Sequence, residues 1–505
     1  MPSTRPNVII VTTDQQRTDS LSCYGSSFTH TPSIDRLGAD GVVCERAYCA
    51  NPVCTPARAS IFSGLYLTRH AAWNVGTAVQ DGVPLLSHML GASGYQTHYV
   101  GKAHFQPFGG EGRSVEDCDA WQKTYAAWHG PYYGFDTVEL SLGHTSYGLR
   151  GHYGLWLRSL LAPGEIEAMN ATARVVDGPS YGGEAYDWKL PARLHSSVWT
   201  ADRAIAFIEH RDRSRPFLLA VGFQDPHHPH CVPTDFAARV DPGAVGAPRY
   251  VPGELDDKPP HFMVAHRGQL ESSPFRGQYW VAGQGPGASF ADVPEQDARA
   301  GRAYYHTMVR LIDREMGRLI DFLDEHDLAE NTLIVFTTDH GELLGDHGLW
   351  MKGPFHYEEL VRIPLVVRWP AAIPPSGRAA GLISQVDIVP TVLAAVGAAA
   401  PAPLDGVDAL PLLRSEVASV RDAAIVECVD DPRGLRLKTV VTGDWKLSAY
   451  HGERFGELYD LRADPGEITN LWDSAAHAAR KAELLGLLLD HGERLEPRAE
   501  RYAYA

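Results

Sequence analysis

Two short stretches of this 505-residue chain echo one another. Val8-Ile-Ile-Val-Thr-Thr-Asp14-Gln15 and Leu333-Ile-Val-Phe-Thr-Thr-Asp339-His340 each pass through an apolar run and two threonines into an aspartate and a further polar side chain. A continuous β-branched run without polar alternation is the pattern of a strand buried on both faces in a largely parallel sheet. Ligands of open α/β sheets gather beyond the carboxyl ends of the strands. The echo therefore predicts an α/β fold, a large mixed, mostly parallel sheet sandwiched by helices. It also brings four potential metal ligands, Asp14, Gln15, Asp339 and His340, to one edge.

A third run, Pro216-Phe-Leu-Leu-Ala-Val-Gly-Phe223, ends in Gln224-Asp225-Pro226-His227-His228-Pro229 and adds histidines to that edge. Apolar residues at helical spacing mark 196–210 and 303–326, the latter through Met308, Leu311, Ile312, Met316, Leu319 and Phe322. Residues 106–190, rich in Gly, Tyr, Trp and His, and 241–299, rich in Pro and Gly, show little periodicity and read as long coverings, either pocket walls or surface insertions. The composition shifts near 398–404. Four short strands then follow, at 424–427, 438–442, 445–450 and 457–460, with a closing helix at 475–495 carrying Leu484, Leu485, Leu488 and Leu489. The expected organisation is a catalytic α/β domain over residues 1–400 and a C-terminal subdomain, a small antiparallel sheet plus helix, over 401–505.

The stretch NPVCTPARAS, residues 51–60, sets Cys54 between two prolines with Arg58 four residues on, where a helix-like run begins. Pro56 fixes its own φ and restricts Thr55. At a helix N-terminus, unpaired N–H groups and the dipole favour an anion. The net charge of −17 argues against a nucleic-acid partner or an anionic membrane surface, so any anion must meet a local positive site. The seven cysteines are odd in number, scattered and without a CxxC pair, which points to neither a disulfide framework nor a thiolate zinc site. The N-terminal residues lack signal-peptide regions and no apolar run approaches a bilayer span, so a cytoplasmic, reducing setting is expected.

With Cys54, Pro56 and Arg58 read as C-x-P-x-R, the chain resembles the sulfatases of the alkaline-phosphatase superfamily. The resemblance extends through TTDQQRTDSLSCYG (12–25), GKAH (101–104), PHHP (226–229), TTDHGE (337–342), MKGPFHYEE (351–359) and ELYDLRADPGEITNL (457–471), in the family's order. It implies that Cys54 is converted to Cα-formylglycine by a formylglycine-generating enzyme. The hydrated aldehyde offers one hydroxyl to attack the ester and a second to expel the sulfate. Arg58 would hold the diol oxygens, and Asp14, Gln15, Asp339 and His340, with position 54, would hold one divalent cation. Lys102 would neutralise sulfate charge, His104 would take the proton from the second hydroxyl, and His227 or Lys352 would protonate the leaving oxygen. His228, His230 and His356 stand beside motif positions with structural or substrate-contact roles expected, and Asp19, Asp346 and His347 as supporting residues.

The chain also departs from the family. Many sulfatases have a second acidic residue where this chain has Gln15, and asparagine where it has His340. An amide lowers the ligand charge and an imidazole suits a softer ion, which moves the expected cation from calcium toward manganese. Asp14-Gln15 and Asp339-His340 resemble the phosphonate monoester and phosphodiester hydrolases of the same superfamily, yet those tend to carry neutral hydroxyl residues where this chain has Lys102 and His104. The expected function is hydrolysis of a sulfate monoester; the alternatives are a phosphonate monoester or phosphodiester hydrolase and a non-catalytic anion-binding relative. Trp121, Trp128, Tyr132, Tyr133 and Trp156 would either stack on a sugar or aryl group or belong to the core. The small C-terminal sheet and exposed loops would suit contacts in a homo-oligomer.

Overall fold

The structure, a computed structural model, describes residues 5–109, 113–118, 121–147, 149–172, 185–268, 290–375, 377–430 and 434–496. The strands of the main sheet are, in chain order, β1 (Asn7–Thr13), β2 (Val42–Tyr48), β3 (Gln96–Gly101), β4 (Thr137–Leu142), β5 (Phe217–Gly222), β6 (Thr332–Thr338), β7 (Leu365–Arg368) and β8 (Gly377–Ser384). They lie in the order β8-β2-β7-β6-β1-β5-β3-β4, and the two-residue strand Arg362–Ile363 pairs with β2 as a ninth. Within that order all pairings are parallel except those of β7, and the ninth strand also pairs antiparallel.

The echoing segments are direct neighbours. Val8 pairs with Leu333 and the register holds to Thr13 and Thr338, so Asp14 and Asp339 leave the sheet side by side. Alternate residues serve opposite faces: Val8, Ile10, Leu333 and Val335 enter one hydrophobic cluster, Ile9, Val11, Ile334 and Phe336 the other. Each such burial contributes about 1.5–3 kcal/mol, which is why the runs carry no polar alternation. Helix α1 (Cys54–Ser63) packs Ala59, Ile61 and Phe62 into the first cluster. Helices α2 (Ser196–His210) and α3 (Glu295–Glu325) pack Trp199, Ile208, Ile312 and Met316 into the second, completing the sandwich.

The smaller sheet is antiparallel, in the order β9 (Ala424–Asp430), β10 (Leu435–Val441), β11 (Trp445–Tyr450), β12 (Gly456–Asp460), and is covered by α4 (Ala478–Leu495). Leu484, Leu488 and Leu495 share a core with Ile425, Val440, Leu447 and Leu458, and with Ala50, Tyr66 and Val386 from the larger body. Leu489 does not join that stripe; it is 74% exposed.

Two readings of the sequence need correction, and a third, left open between two alternatives, is decided. Helix α3 begins at Glu295 rather than 303, because its first turns, EQDARAGR, carry charge instead of an apolar period. The covering 106–190 contains β4 and a helix, Gly151–Leu160; the alternation in Thr137-Val-Glu-Leu-Ser-Leu142 was the available signal. The five aromatic residues of that region belong to the core: Trp121 and Tyr132 are buried in the first cluster with Trp128 and Tyr133 against it, and Trp156 packs on the second. Residues 173–184 and 269–289, parts of the two expected coverings, lie outside the described residues.

Candidate active site

The carboxyl edge of the sheet collects the predicted residues. Asp14 and Gln15 follow β1, Lys102 and His104 follow β3, His227 follows β5, and Asp339 and His340 follow β6. Cys54 is the first residue of α1, whose N-terminus has no side-chain cap, so its amides remain available for an anion. Gly64, at φ +71°, ends the helix. Lys102 reaches the site because β3 and β5 meet glycine to glycine: a Cβ on Gly101 would lie 2.0 Å from the Gly222 carbonyl oxygen, and one on Gly222 2.2 Å from that of Lys102. Gln15, His104 and Met351 adopt positive φ of 67°, 55° and 66° without being glycine, local strain of the kind that clusters at functional sites.

Cys54 Sγ lies 2.9 Å from Lys352 Nζ, 3.3 Å from His340 Nε2 and 3.6 Å from Asp14 Oδ1, and is fully buried. Arg58 turns its guanidinium to the carboxylates: Nη2 donates to Asp14 Oδ2 and Nε to Asp339 Oδ2, both at 3.0 Å, and Nη1 donates to the Lys102 carbonyl at 2.8 Å. Its hydrogen bonds thus hold the acidic pair, not the side chain at 54. Lys102 Nζ makes an ion pair of 2.5 Å with Asp14 Oδ2 and donates to His144 Nδ1 at 2.7 Å. His227 Nε2 stands 4.0 Å from Asp14 Oδ1, and its ring lies face to face with His144, centroids 3.7 Å apart. His104 stacks on Phe108 at 4.0 Å, with Nδ1 hydrogen-bonded to none of the described residues. The Glu116 carboxylate fixes the His104 turn by accepting its amide at 2.8 Å.

Burial opposes the charge on Asp14, but Lys102, Arg58 and Lys352 outweigh it and hold the carboxyl well below the usual range. Burial pushes the Cys54 thiol up to about 11, Asp14 adding to the rise. Burial, reinforced by Lys102, keeps His104 well below the ordinary histidine value; burial, His144 and His228 do the same to His227. Burial brings His340 down to about 4 despite Asp339.

The donor set fits a divalent cation. Asp14, Cys54, Asp339 and His340 each offer one atom within 4.8 Å of the others. His340 Nδ1 donates to the Gly341 carbonyl at 2.9 Å, which leaves Nε2 as a lone-pair donor facing the site, the usual support of a metal-bound histidine. Gln15 Nε2 donates to Glu342 Oε2, so Oε1 points inward, 2.9 Å from the Lys352 ammonium. Two carboxylates, an amide oxygen and one imidazole suit a hard or borderline divalent cation rather than a thiolate-seeking ion.

Of the neighbouring residues, His228 reaches the site beside His227, ring centroids 4.0 Å apart, whereas His230 packs on Tyr305 and His356 meets Thr439 of the small sheet. Asp346 pairs with Arg17 at 2.8 Å and Arg302 at 3.1 Å, Asp19 pairs with Arg17 at 2.6 Å, and His347 lies between Glu254 and Glu359. The sequence reading missed His144 and Glu342. His144 lies two residues past β4, so its signal was the same strand-end placement that marked the others; Glu342 lay inside the TTDHGE motif.

Cationic and carboxylate side chains thus converge at the carboxyl edge of a mostly parallel sheet, the arrangement expected of an ester hydrolase of the alkaline-phosphatase superfamily. Residues 6–398 match the family profile described as Sulfatase, and 345–493 that described as N-sulphoglucosamine sulphohydrolase, C-terminal. The chain belongs to the sulfatase family. It is 27% identical to the uncharacterized sulfatase YidJ of Escherichia coli (strain K12) over 99% of this chain and 90% of that one. It is 25% identical to an arylsulfatase of Clostridium perfringens (strain 13 / Type A) over 99% and 96%. The crystal structure of the phosphonate monoester hydrolase of Agrobacterium radiobacter superposes with a TM-score of 0.81 at 26% identity, covering 97% of this chain and 96% of that one. Among the described residues no helix is long and apolar enough to cross a membrane.

Proposed function

We propose that the chain hydrolyses a sulfate monoester to an alcohol and inorganic sulfate, with Cys54 converted to Cα-formylglycine as the nucleophile. The observation that carries this reading is the convergence of Lys102, Lys352 and Arg58 on position 54 and Asp14 in a member of the sulfatase family. Hydrated formylglycine would supply one hydroxyl to attack sulfur and a second to expel sulfate as the aldehyde re-forms, and a calcium or manganese ion on Asp14, Gln15, Asp339 and His340 would lower the nucleophile's pKa and offset substrate charge.

The protein's own groups do the rest. Arg58 holds the carboxylates of Asp14 and Asp339 in place through its two ion pairs. Lys102 takes one sulfate oxygen while paired with Asp14. Lys352 or His227 gives a proton to the departing alcohol oxygen, and His104 accepts the proton of the second hydroxyl. None of the seven cysteines is joined in a disulfide, which suits a reducing, cytoplasmic setting and maturation there by a formylglycine-generating enzyme.

Gln15, His340 and the similarity to a phosphonate monoester hydrolase favour a second reading, hydrolysis of a phosphonate monoester or phosphodiester. All three ester classes present one negative charge, so one site can accept them and rank them by transition-state contacts. The test is kcat/KM on 4-nitrophenyl sulfate, an aryl phosphonate monoester and an aryl phosphodiester, with protein coexpressed with a formylglycine-generating enzyme and supplied with calcium or manganese. Sulfate should win, and activity should track the aldehyde fraction of the Cys54 peptide by mass spectrometry. A clear win for phosphorus esters overturns the sulfatase reading; full activity in Cys54→Ala overturns the nucleophile.

A further inference from the structure

His144 is a third imidazole at the site that the proposed chemistry leaves without a role. It lies just beyond β4 and is half-buried among buried neighbours. Its Nδ1 is 2.7 Å from Lys102 Nζ. An ammonium has only protons to give, so Nδ1 must be the acceptor and the neutral ring carries its proton on Nε2. That N–H makes no hydrogen bond to any described residue. One face lies flat on His227, 3.7 Å between centroids and 2° between planes, and the Phe108 ring meets it edge-on at 5.5 Å.

The backbone around it is strapped to the loop that carries His227. Gln224 Nε2 donates to the Gly143 carbonyl at 2.9 Å, and Thr145 Oγ1 to the Pro229 carbonyl at 3.1 Å. Thr145 itself is held at φ 36°. A donor N–H fixed in tautomer, plane and backbone, standing between the lysine assigned to the sulfate oxygens and the histidine assigned to the leaving oxygen, is prepared for an oxygen that arrives with the substrate.

Resting on the sulfate-ester reading above, we infer that His144 is a substrate-binding residue whose Nε2–H donates to a non-bridging oxygen of the bound ester. It acts as a neutral donor beside the charged Lys102, adding direction to a contact that an ammonium alone makes loosely. It is thereby a determinant of how the tetrahedral group is oriented for in-line attack.

The test compares His144→Phe, which keeps a ring against His227 but removes both nitrogens, with His144→Gln, which keeps one acceptor and one N–H. Two readouts are needed: kinetics on 4-nitrophenyl sulfate and calorimetric binding of inorganic sulfate. The Phe variant should lose roughly 10- to 100-fold in kcat/KM, with KM raised, and bind sulfate about tenfold more weakly, the scale of one hydrogen bond to a charged acceptor. The Gln variant should recover most of both, with melting temperatures matched across the set. If Phe stays within about twofold of wild type in both readouts, or Gln is as impaired as Phe, His144 is packing and the inference falls. If the wild-type protein turns over no sulfate ester, the sulfatase reading fails, while sulfate binding still decides the role of His144.

Discussion

The Lys352 ammonium lies 2.9 Å from the Cys54 sulfur and 2.9 Å from Gln15 Oε1, a buried proton donor already within reach of the nucleophile's position. Its placement is built in: Met351 takes a positive φ of 66° and gives its amide hydrogen to Glu342, so the lysine enters the site from a fixed turn. Lys352→Ala should lower kcat/KM by roughly 10²–10⁴-fold, the range for a positioned general acid. The loss should be larger for an alkyl sulfate than for 4-nitrophenyl sulfate, whose leaving group departs without a proton. Equal losses on both would assign the ammonium to charge neutralisation and leave His227 as the acid.

Arg58 is the stability keystone of the site. It binds Asp14 Oδ2 and Asp339 Oδ2 at 3.0 Å each, and all three side chains are fully buried. Removing one partner of a buried ionic group strands the others, at about 3–5 kcal/mol. Arg58→Ala should therefore shift the urea midpoint strongly downward, and Arg58→Lys should recover little because an ammonium cannot span both carboxylates in one plane. A saturating divalent cation should restore part of the stability of Arg58→Ala. An unchanged midpoint in metal-free Arg58→Ala would show that the pair tolerates ionisation unaided.

Gln15 is tied to its role by Glu342, whose carboxylate accepts from the amide nitrogen while burial raises the Glu342 pKa. In Gln15→Glu two carboxylates would face each other without a donor between them, a cost of about 1–3 kcal/mol in the metal-free protein. The added charge should strengthen binding of calcium relative to manganese, measured by metal-dependent activation and by calorimetry. Gln15→Glu protein that is no less stable than wild type and keeps the same calcium-to-manganese ratio would rule out this account of the substitution.

Much of this site was legible in the sequence because strand-end chemistry is local. Val8–Gln15 and Leu333–His340 announce both their burial and their ligands in eight residues each, and the register of Thr13 with Thr338 makes the echo a spatial fact. The extent of α3 and the existence of β4 were less legible: a charged first turn hides the start of a helix, and six alternating residues are a short signal inside a long stretch that otherwise lacks periodicity. His144 was missed because β4, whose carboxyl end places it, was not read as a strand; its contact with Lys102, 42 positions away in the chain, is visible only in the fold. The aromatic residues near 121–133 were ambiguous for a similar reason, since only packing separates a stacking platform from a core.

His347 supplies a pH dependence that can be separated from catalysis. It sits in the turn leading to Lys352, with Nδ1 3.4 Å from Glu254 Oε1, Nε2 3.5 Å from Glu359 Oε2 and its ring flat on Tyr357 at 3.7 Å. Burial disfavours the imidazolium, yet the two carboxylates outweigh it and raise the pKa to about 9. The folded value is above that of the unfolded chain, about 6.5, so the protonated ring stabilises the fold. That contribution, on the order of 3 kcal/mol, is complete below about pH 6.5 and fades as pH rises through about 9. Urea unfolding of the wild-type protein should therefore show stability falling across that window, and His347→Gln should be less stable at neutral pH with a flatter profile above it. Arg249 and Arg17 also face Glu359. A His347→Gln profile as steep as that of the wild-type protein would place the titration on another group.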